Sequence, residues 1–428
     1  MRSNRRSKGD FRVHRGYGLL AALGALVFAG CDPASFLDVT DPGAMSAEDA
    51  ESAANAQTLM NGVIGDYECA LGAFIVSMGA LSEEFGDRGF SGDTWFIDRR
   101  DILPSDVYGE VDCTGRPSLY LPISRARWGA DNIAMLLGSE DWANVANKPT
   151  MSAQAALYSG FSYAMLGMSM CSAAIDGGSE MSWTELLTSA ERKFTEAIQL
   201  ASAAGASNLE NAARVGRARA RLGLGNGSGA VEDAQAVPEG FRFQTISTSS
   251  GNARAYNRVY EMNRQGQQYG IQEESWNLLT GGVEDPRTRS FDSGNIATGG
   301  LAIWWQEKYT SRSDPLPVAR WEEAQLIIAE VQGGQMAVDI INRLRAPYPE
   351  LPQFAGGSES EIFNEVMRER RRELWLEGFA AWDDWRNDLP LNPPVGTPYQ
   401  ITVKGGEYKD SRCFPLPDIE RFNNPNIG

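Results

Sequence analysis

Three stretches of the 428-residue chain set apolar residues at three- and four-residue intervals, the spacing that places them on one face of an α-helix. They are Ala153-Gln-Ala-Ala-Leu-Tyr-Ser-Gly-Phe-Ser-Tyr-Ala-Met-Leu-Gly, the run from Trp183 to Ala201, and the run from Asn211 to Leu224. The third ends at Gly225-Asn-Gly-Ser-Gly, and Ala230 to Val237 follows with Pro238 behind it. Helix pairs with small residues where they cross and a proline at the exit follow the tetratricopeptide pattern, although the period drifts. The expected fold class is mostly α, a tetratricopeptide-like helical-hairpin scaffold rather than a regular solenoid. Residues 70–125 and 241–310 interrupt that pattern. They are rich in Gly, Asp, Ser and aromatics with weak periodicity, and are expected to form long loops with short strands or helices. Function concentrates in such excursions from a rigid scaffold, and Trp95, Trp276, Trp304 and Trp305 fall in them.

The N-terminal end specifies a compartment. Arg2, Arg5, Arg6, Lys8, Arg12 and Arg15 precede an apolar run of thirteen residues, Gly18 to Gly30. A helix crossing the hydrocarbon core needs roughly 20 apolar residues, so the segment reads as an export signal rather than a span. Val27-Phe28-Ala29-Gly30-Cys31 resembles a bacterial lipobox, in which the cysteine is acylated and becomes the new N-terminus. Several acyl chains, at ~0.8 kcal/mol per buried CH₂, hold a protein stably at a membrane surface. The expected organisation is a lipoprotein signal peptide at 1–30, a lipid anchor at Cys31, a tether over 31–45 and a body over 46–428. Ser46-Ala-Glu-Asp has the form of a helix start, and no long apolar span is expected after Gly30.

Composition removes most enzyme classes. The signal takes six basic residues and one acidic residue with it, which moves the net charge from −17 to −22. Such a surface disfavours nucleic acid and anionic lipid. The only histidine is His14, inside the signal. The remainder cannot build a Ser-His-Asp or Cys-His site or a histidine metal site. Carboxylate-only chemistry, as in glycoside hydrolysis, survives this exclusion. Cys69, Cys113, Cys171 and Cys413 remain after Cys31, with no C-x-x-C spacing, so neither a metal nor a cofactor is expected. An even count in an exported chain permits two disulfides in any of three pairings. Cys69 with Cys113, both in the N-terminal region, is the expected one.

Three C-terminal stretches are more specific. One helix carries Arg320, Glu323, Ala329 and Glu330 in an Arg-x-x-Glu…Ala-Glu pattern. A later one carries Glu369, Arg370, Glu373, Leu374, Glu377 and Gly378 as Glu-Arg-x-x-Glu-Leu-x-x-Glu-Gly. The ending places Pro417, Glu420, Asn424, Pro425 and Asn426 in a Pro-x-x-Glu…Asn-Pro-Asn close. With Phe36-Leu-Asp-Val after Cys31 and Asp285-Pro-Arg midway, these stretches resemble the SusD/RagB family of surface lipoproteins. The resemblance spans nearly the whole chain and is strongest over 314–428. It divides the body into an N-terminal helical-repeat part, 46–250, and a C-terminal signature part, 251–428. Ala380 stands where the family usually has arginine, and Asp383-Asp384 where it has Asp-Leu, the marks of a diverged member. On a helical wheel Phe363, Val366, Met367, Arg370, Leu374, Glu377 and Trp385 share one stripe. Buried unpaired charge is costly, so Arg370 and Glu377 are expected to pair with each other or with Glu323 and Glu330, in a scaffold role.

The resemblance implies a non-catalytic lipoprotein of the outer membrane that captures a nutrient, usually an oligosaccharide and sometimes a peptide. It also implies a TonB-dependent (SusC-like) outer-membrane channel as the partner that receives the nutrient. Sugar rings stack their apolar faces on aromatics, and the candidates for ligand contact are Trp95 with Asp93 and Asp98, and Trp304 and Trp305 with Gln306. Trp321, Trp375, Trp382 and Trp385 are assigned to the core. A peptide-binding protein, a pure helical interaction module and, more remotely, a carboxylate-based glycoside hydrolase are the alternatives. Asp32, next to the anchor, is an inner-membrane retention signal in some bacteria, which leaves the membrane face open.

Overall fold

A computed structural model of the chain describes residues 51–89, 94–297 and 300–427. The signal, Cys31, the tether, the helix start at Ser46 and Asp93 lie outside the described residues. Helices dominate: α1 (Ala56–Leu81), α2 (Tyr120–Gly138), α3 (Lys148–Ser169), α4 (Trp183–Ala203), α5 (Ser207–Gly223) and α6 (Gly227–Gln235), then α7 (Trp321–Gln332), α8 (Gly334–Arg345), α9 (Glu359–Glu373) and α10 (Ala380–Arg386). From α1 to α6 the helices pack in hairpins, α1 on α2, α2 on α3, α3 on α4, α4 on α5 and α5 on α6, and α7 continues the stack against α6.

Small residues set these crossings. A Cβ on Gly160 of α3 would stand 2.8 Å from the Phe194 ring of α4, and one on Gly216 of α5 would stand 2.4 Å from the same ring. Seven residues along each helix the arrangement repeats, with Leu187 of α4 between Gly167 and Gly223 at 2.8 and 2.7 Å. Two rungs of one large side chain between two glycines therefore lock three helices in register, the close approach that tight helix packing requires. The turn after α5 is shorter than its glycine content suggests. Only Gly225, at φ 75°, takes the left-handed conformation, and Asn226 caps α6 by accepting from the Gly229 N–H.

Expectations are corrected in two parts of the chain. Residues 70–81 are not loop but the second half of α1, and residues 120–125 open α2. Every residue from Cys69 to Leu81 is buried, so this half is apolar or small on all sides and carries no amphipathic period to read. For the same reason Ala53–Leu81 is long and apolar enough to cross a membrane by length and composition, contrary to the expected absence of such a run. Most of its apolar window is buried inside the fold, which makes it the core helix. Second, the signature helix stops at Glu373. Leu376 and Gly378 follow at φ 54° and 86°, and a Cβ on Gly378 would stand 2.6 Å from Phe74 of α1. The sharp turn against α1 needs glycine, and it takes Leu374, Glu377 and Trp385 off the stripe with Arg370.

The 241–310 excursion is loop and short strand. Together with β1 (Phe85–Asp87) it supplies β2 (Arg242–Gln244), β3 (Tyr269–Ile271), β4 (Ser290–Ile296) and β5 (Ala302–Gln306), while β6 (Pro317–Arg320) leads into α7. All pair antiparallel: β1 with β3, β4 with β5, and β2 with β6. The β2–β6 pair joins residues on either side of position 250, as does the Cys171–Cys413 disulfide, so the described residues of the two parts pack together.

Candidate functional site

The short excursion strands cannot bury much apolar surface, and polar side chains gather them instead. Asp98, 3% exposed, sits at the end of a one-turn helix that begins at Trp95. Its Oδ2 accepts the Asp87 N–H at 2.9 Å, the Tyr399 hydroxyl at 2.8 Å and the Gln400 amide at 3.3 Å. Its Oδ1 accepts the Gln272 amide at 2.8 Å, and Gln272 accepts from Gln400 at 2.8 Å. Burial pushes the Asp98 carboxyl up to about 6, against the Asp87 N–H and Arg88, which favour its ionised form. Asp87 in turn accepts the Thr94 hydroxyl at 2.8 Å and pairs with Lys404. One buried carboxylate thus ties together β1, the 94–98 turn, the segment after β3 and the 399–404 loop.

Arg88 extends the assembly to the hairpin by donating from Nε to the Ala302 carbonyl at 3.2 Å. Two residues on, Trp304 stacks on Trp276, with ring centroids 4.3 Å apart and planes 18° from parallel. Both rings are half-buried, and the Trp276 indole N–H is fixed on the Ile271 carbonyl at 2.8 Å. Trp95 is half-buried beside Tyr399, Ile401 and Tyr408, a small cluster that Leu301 also joins, and the Arg99 guanidinium lies 4.0 Å over its ring. Trp304 and Trp305 alternate across β5 and so face opposite sides. Trp305 meets Phe291 edge-on at 5.8 Å, with Arg264 over both rings at 5.4 Å.

Of the candidate contacts, Trp95 opens the turn that ends at Asp98, and Trp304 lies on the strand whose Ala302 carbonyl accepts from Arg88, so both segments are tied to the Asp98 assembly. Gln306 does not join them. It is fully buried, and both ends of its amide serve Tyr309, donating to its carbonyl at 2.7 Å and accepting its N–H at 2.6 Å. Trp276, Arg88, Gln272 and Gln400 are residues that sequence reasoning missed. Trp276 stood in a loop-rich segment, but nothing local announces a stack with a ring 28 positions later. Cavities of about 460 Å³ and 360 Å³ lie along α9 and one of about 440 Å³ along α4.

The signature charges lie in the interior. Arg320 donates to Glu373 at 2.6 Å and to Glu377 at 2.9 Å, and Lys308 joins Glu377 at 2.6 Å. Arg287 reaches Glu369 at 2.5 Å and Glu373 at 3.0 Å. Glu323 is held by Arg219 at 2.7 Å. Arg370 pairs neither with Glu377 nor with Glu323. It takes Asp383 bidentately at 2.8 and 2.9 Å, with Glu330 at 3.5 Å, because the turn at Gly378 folds α10 back over α9. Cys69 and Cys113 are joined in a disulfide, as are Cys171 and Cys413. Trp375 and Trp382 are fully buried, and Trp382 and Trp385 both pack on Trp183.

No family model matches the sequence, and no curated protein matches it by sequence. Solved structures do match. A SusD superfamily protein from Parabacteroides distasonis superposes with a TM-score of 0.66 at 13% identity, covering 90% of this chain and 99% of its own. One from Bacteroides vulgatus gives 0.65 at 13% identity, over 88% and 98%. A laminarin-binding SusD-like protein gives 0.55 at 13% identity, over 87% and 98%. The overall fold of this chain is thus that of the SusD superfamily structures.

Proposed function

We propose that this protein captures a saccharide on the face formed by Trp304, Trp276 and Trp95 and passes it to a TonB-dependent outer-membrane channel, without chemical conversion. The observation that carries the reading is the half-buried Trp276–Trp304 stack, on a hairpin that Arg88 links to the Asp98 assembly. A flat indole takes the apolar face of a sugar ring, and preorganised rings lose little entropy on binding. The carbohydrate-binding and laminarin-binding SusD-like proteins of the same fold support the ligand class. In this reading residues 1–30 are removed, Cys31 is acylated, residues 31–45 form the tether, and the body faces the cell exterior.

The test is equilibrium binding to a panel of neutral oligosaccharides, laminarin fragments included, with peptides alongside. Covering about 60 Å² of one sugar face is worth roughly 1.5 kcal/mol, so Trp304→Ala weakens binding about tenfold. Release of reducing ends over many turnovers would replace capture with hydrolysis, and binding confined to the peptides would change the ligand class. For the compartment, Cys31→Ala releases the protein from the membrane fraction, and protease shaving of intact cells removes the parent body. A body protected from shaving would contradict surface capture and favour retention through Asp32.

A further inference from the structure

The cavity of about 460 Å³ beside α9 is independent of the aromatic platform. It lies between α9, the end of α8, the 279–281 turn and the 352–355 segment, and three arginines line it: Arg345, Arg368 and Arg372. Glu365 is the single acid among the lining residues. Its carboxylate is already engaged by Arg345 and by Arg368 at 3.1 Å, and these partners outweigh burial to hold it below the usual carboxylate range.

Arg372 is the exception among the buried arginines of this region. Arg287, Arg320, Arg345, Arg370 and Arg386 each donate to a carboxylate. Arg372, with its side chain 11% exposed, donates among the described residues only to two backbone carbonyls, those of Arg368 at 2.8 Å and of Leu279. Its Nε has no hydrogen-bond partner among the described residues. The nearest carboxylate oxygen is that of Asp285 at 3.9 Å, and Asp285 is taken by Arg287 at 2.6 Å and by the Thr280 hydroxyl at 2.7 Å. A largely buried guanidinium whose one ion pair among the described residues is this long contact, shared with Arg287, is poorly compensated. Burial accordingly draws Arg372 below its ordinary range, with Asp285 and Glu369 only partly opposing. Each terminal nitrogen of Arg372 keeps a second N–H, and Arg368, 61% exposed, stands at the mouth with most of its donors uncommitted.

We infer that this cavity binds an oxyanion, a carboxylate or sulfate group held between Arg372 and Arg368. The forked guanidinium geometry suits planar or tetrahedral oxyanions. The volume falls within the range of small-molecule sites, roughly 300–1,000 Å³, enough for a sugar acid as well as a free ion. A strongly acidic protein repels anions over most of its surface, so an arginine-lined hollow is a local exception that the bound anion would neutralise.

The test is calorimetric titration of the full chain with galacturonate, galactose and inorganic sulfate at low ionic strength. In the Trp304→Ala chain, where the saccharide platform is weakened, galacturonate or sulfate binds and galactose does not. Tighter binding of galacturonate assigns the site to an acidic sugar, and equal or tighter binding of sulfate assigns it to a free oxyanion. Arg368→Ala, at an exposed position that leaves the core intact, weakens the anion about tenfold by removing one charge-assisted contact, and Arg368→Glu abolishes binding. Trp304→Ala leaves it unchanged, which separates this site from the saccharide platform. Absence of binding by both anions, or binding indifferent to Arg368→Glu, overturns the inference.

Discussion

Arg370→Met tests whether the signature charges hold the scaffold. Arg370 and Arg386 face Asp383 and Glu330 in a buried quartet. Arg370 spans Asp383 at 2.8 and 2.9 Å, and Arg386 reaches Asp383 and Glu330 at 2.7 Å each. Removing one cation leaves two carboxylates on one guanidinium. Breaking a buried pair costs about 3–5 kcal/mol. Arg386 still touches both acids, which puts the expected loss near the lower end, about 3 kcal/mol. Methionine fills most of the volume of the arginine stem, so a cavity adds little. Denaturant unfolding with the disulfides intact measures the loss as a shift in midpoint at constant slope. Adding Asp383→Asn to Arg370→Met restores neutrality and is expected to recover at least about 1 kcal/mol. Burial pushes the Asp383 carboxyl up, but Arg370 and Arg386 together hold it below its ordinary range. A depressed carboxyl contributes stability that is present above its unfolded pKa and lost as pH falls through its folded one, so Arg370→Met also flattens the acid limb of the stability profile. A loss under about 1 kcal/mol with unchanged slope, or no recovery in the double variant, would refute the scaffold role.

Gly216→Ala puts a Cβ 2.4 Å from the Phe194 ring. Overpacking of about 1–3 kcal/mol then outweighs the ~1 kcal/mol that alanine gains as a helix former, and adding Phe194→Leu relieves part of the strain in thermal unfolding. Burial pushes the Glu84 carboxyl up to about 8, with the Leu376 N–H and Lys308 only partly opposing. Its contribution to stability is full below the unfolded pKa and lost as pH rises through 8, so Glu84→Gln flattens the decline in unfolding free energy between about pH 4.5 and 8.

The scaffold was legible where one helical face is buried and the other wet. α4 and α5 have that character, and the small residues of α3 and α5 announce close crossings that Phe194 and Leu187 of α4 fill. α1 was not legible, because a segment buried on all sides has neither a polar face nor a period. The α9 stripe was read too far because propensity carries a helix through Leu374–Glu377, while the stop is decided by the approach of Phe74 to Gly378. Trp304 was readable as a loop aromatic, but its partner Trp276 and the hub at Asp98 come from distant segments. Polar assemblies of single residues leave no local signal. Gln306 shows the converse, since adjacency to two tryptophans suggested exposure while the β5 backbone turned its amide inward.

That hub gives the capture reading a pH signature of its own. The ionised Asp98 carboxylate accepts four hydrogen bonds from three segments, and three of them fall on one oxygen. A protonated carboxyl must donate through one oxygen and so cannot serve all four donors. With the carboxyl pushed up to about 6 by burial, acidification through that value loosens the support under Trp304 and Trp95. Stability moves the other way. A carboxyl raised in the folded state contributes most below its unfolded pKa, and that contribution is lost as pH rises through 6. Saccharide affinity is therefore expected to rise between pH 5 and 7 while the Asp98 contribution to unfolding free energy falls. Asp98→Asn, which turns an acceptor into a donor, binds at the weak acidic level across the whole range. Affinity titrations at each pH, paired with denaturant unfolding, read both trends. A parent whose affinity is flat from pH 5 to 7, or an Asp98→Asn chain that binds as tightly as the parent at pH 7, would show that the aromatic face does not depend on this carboxylate.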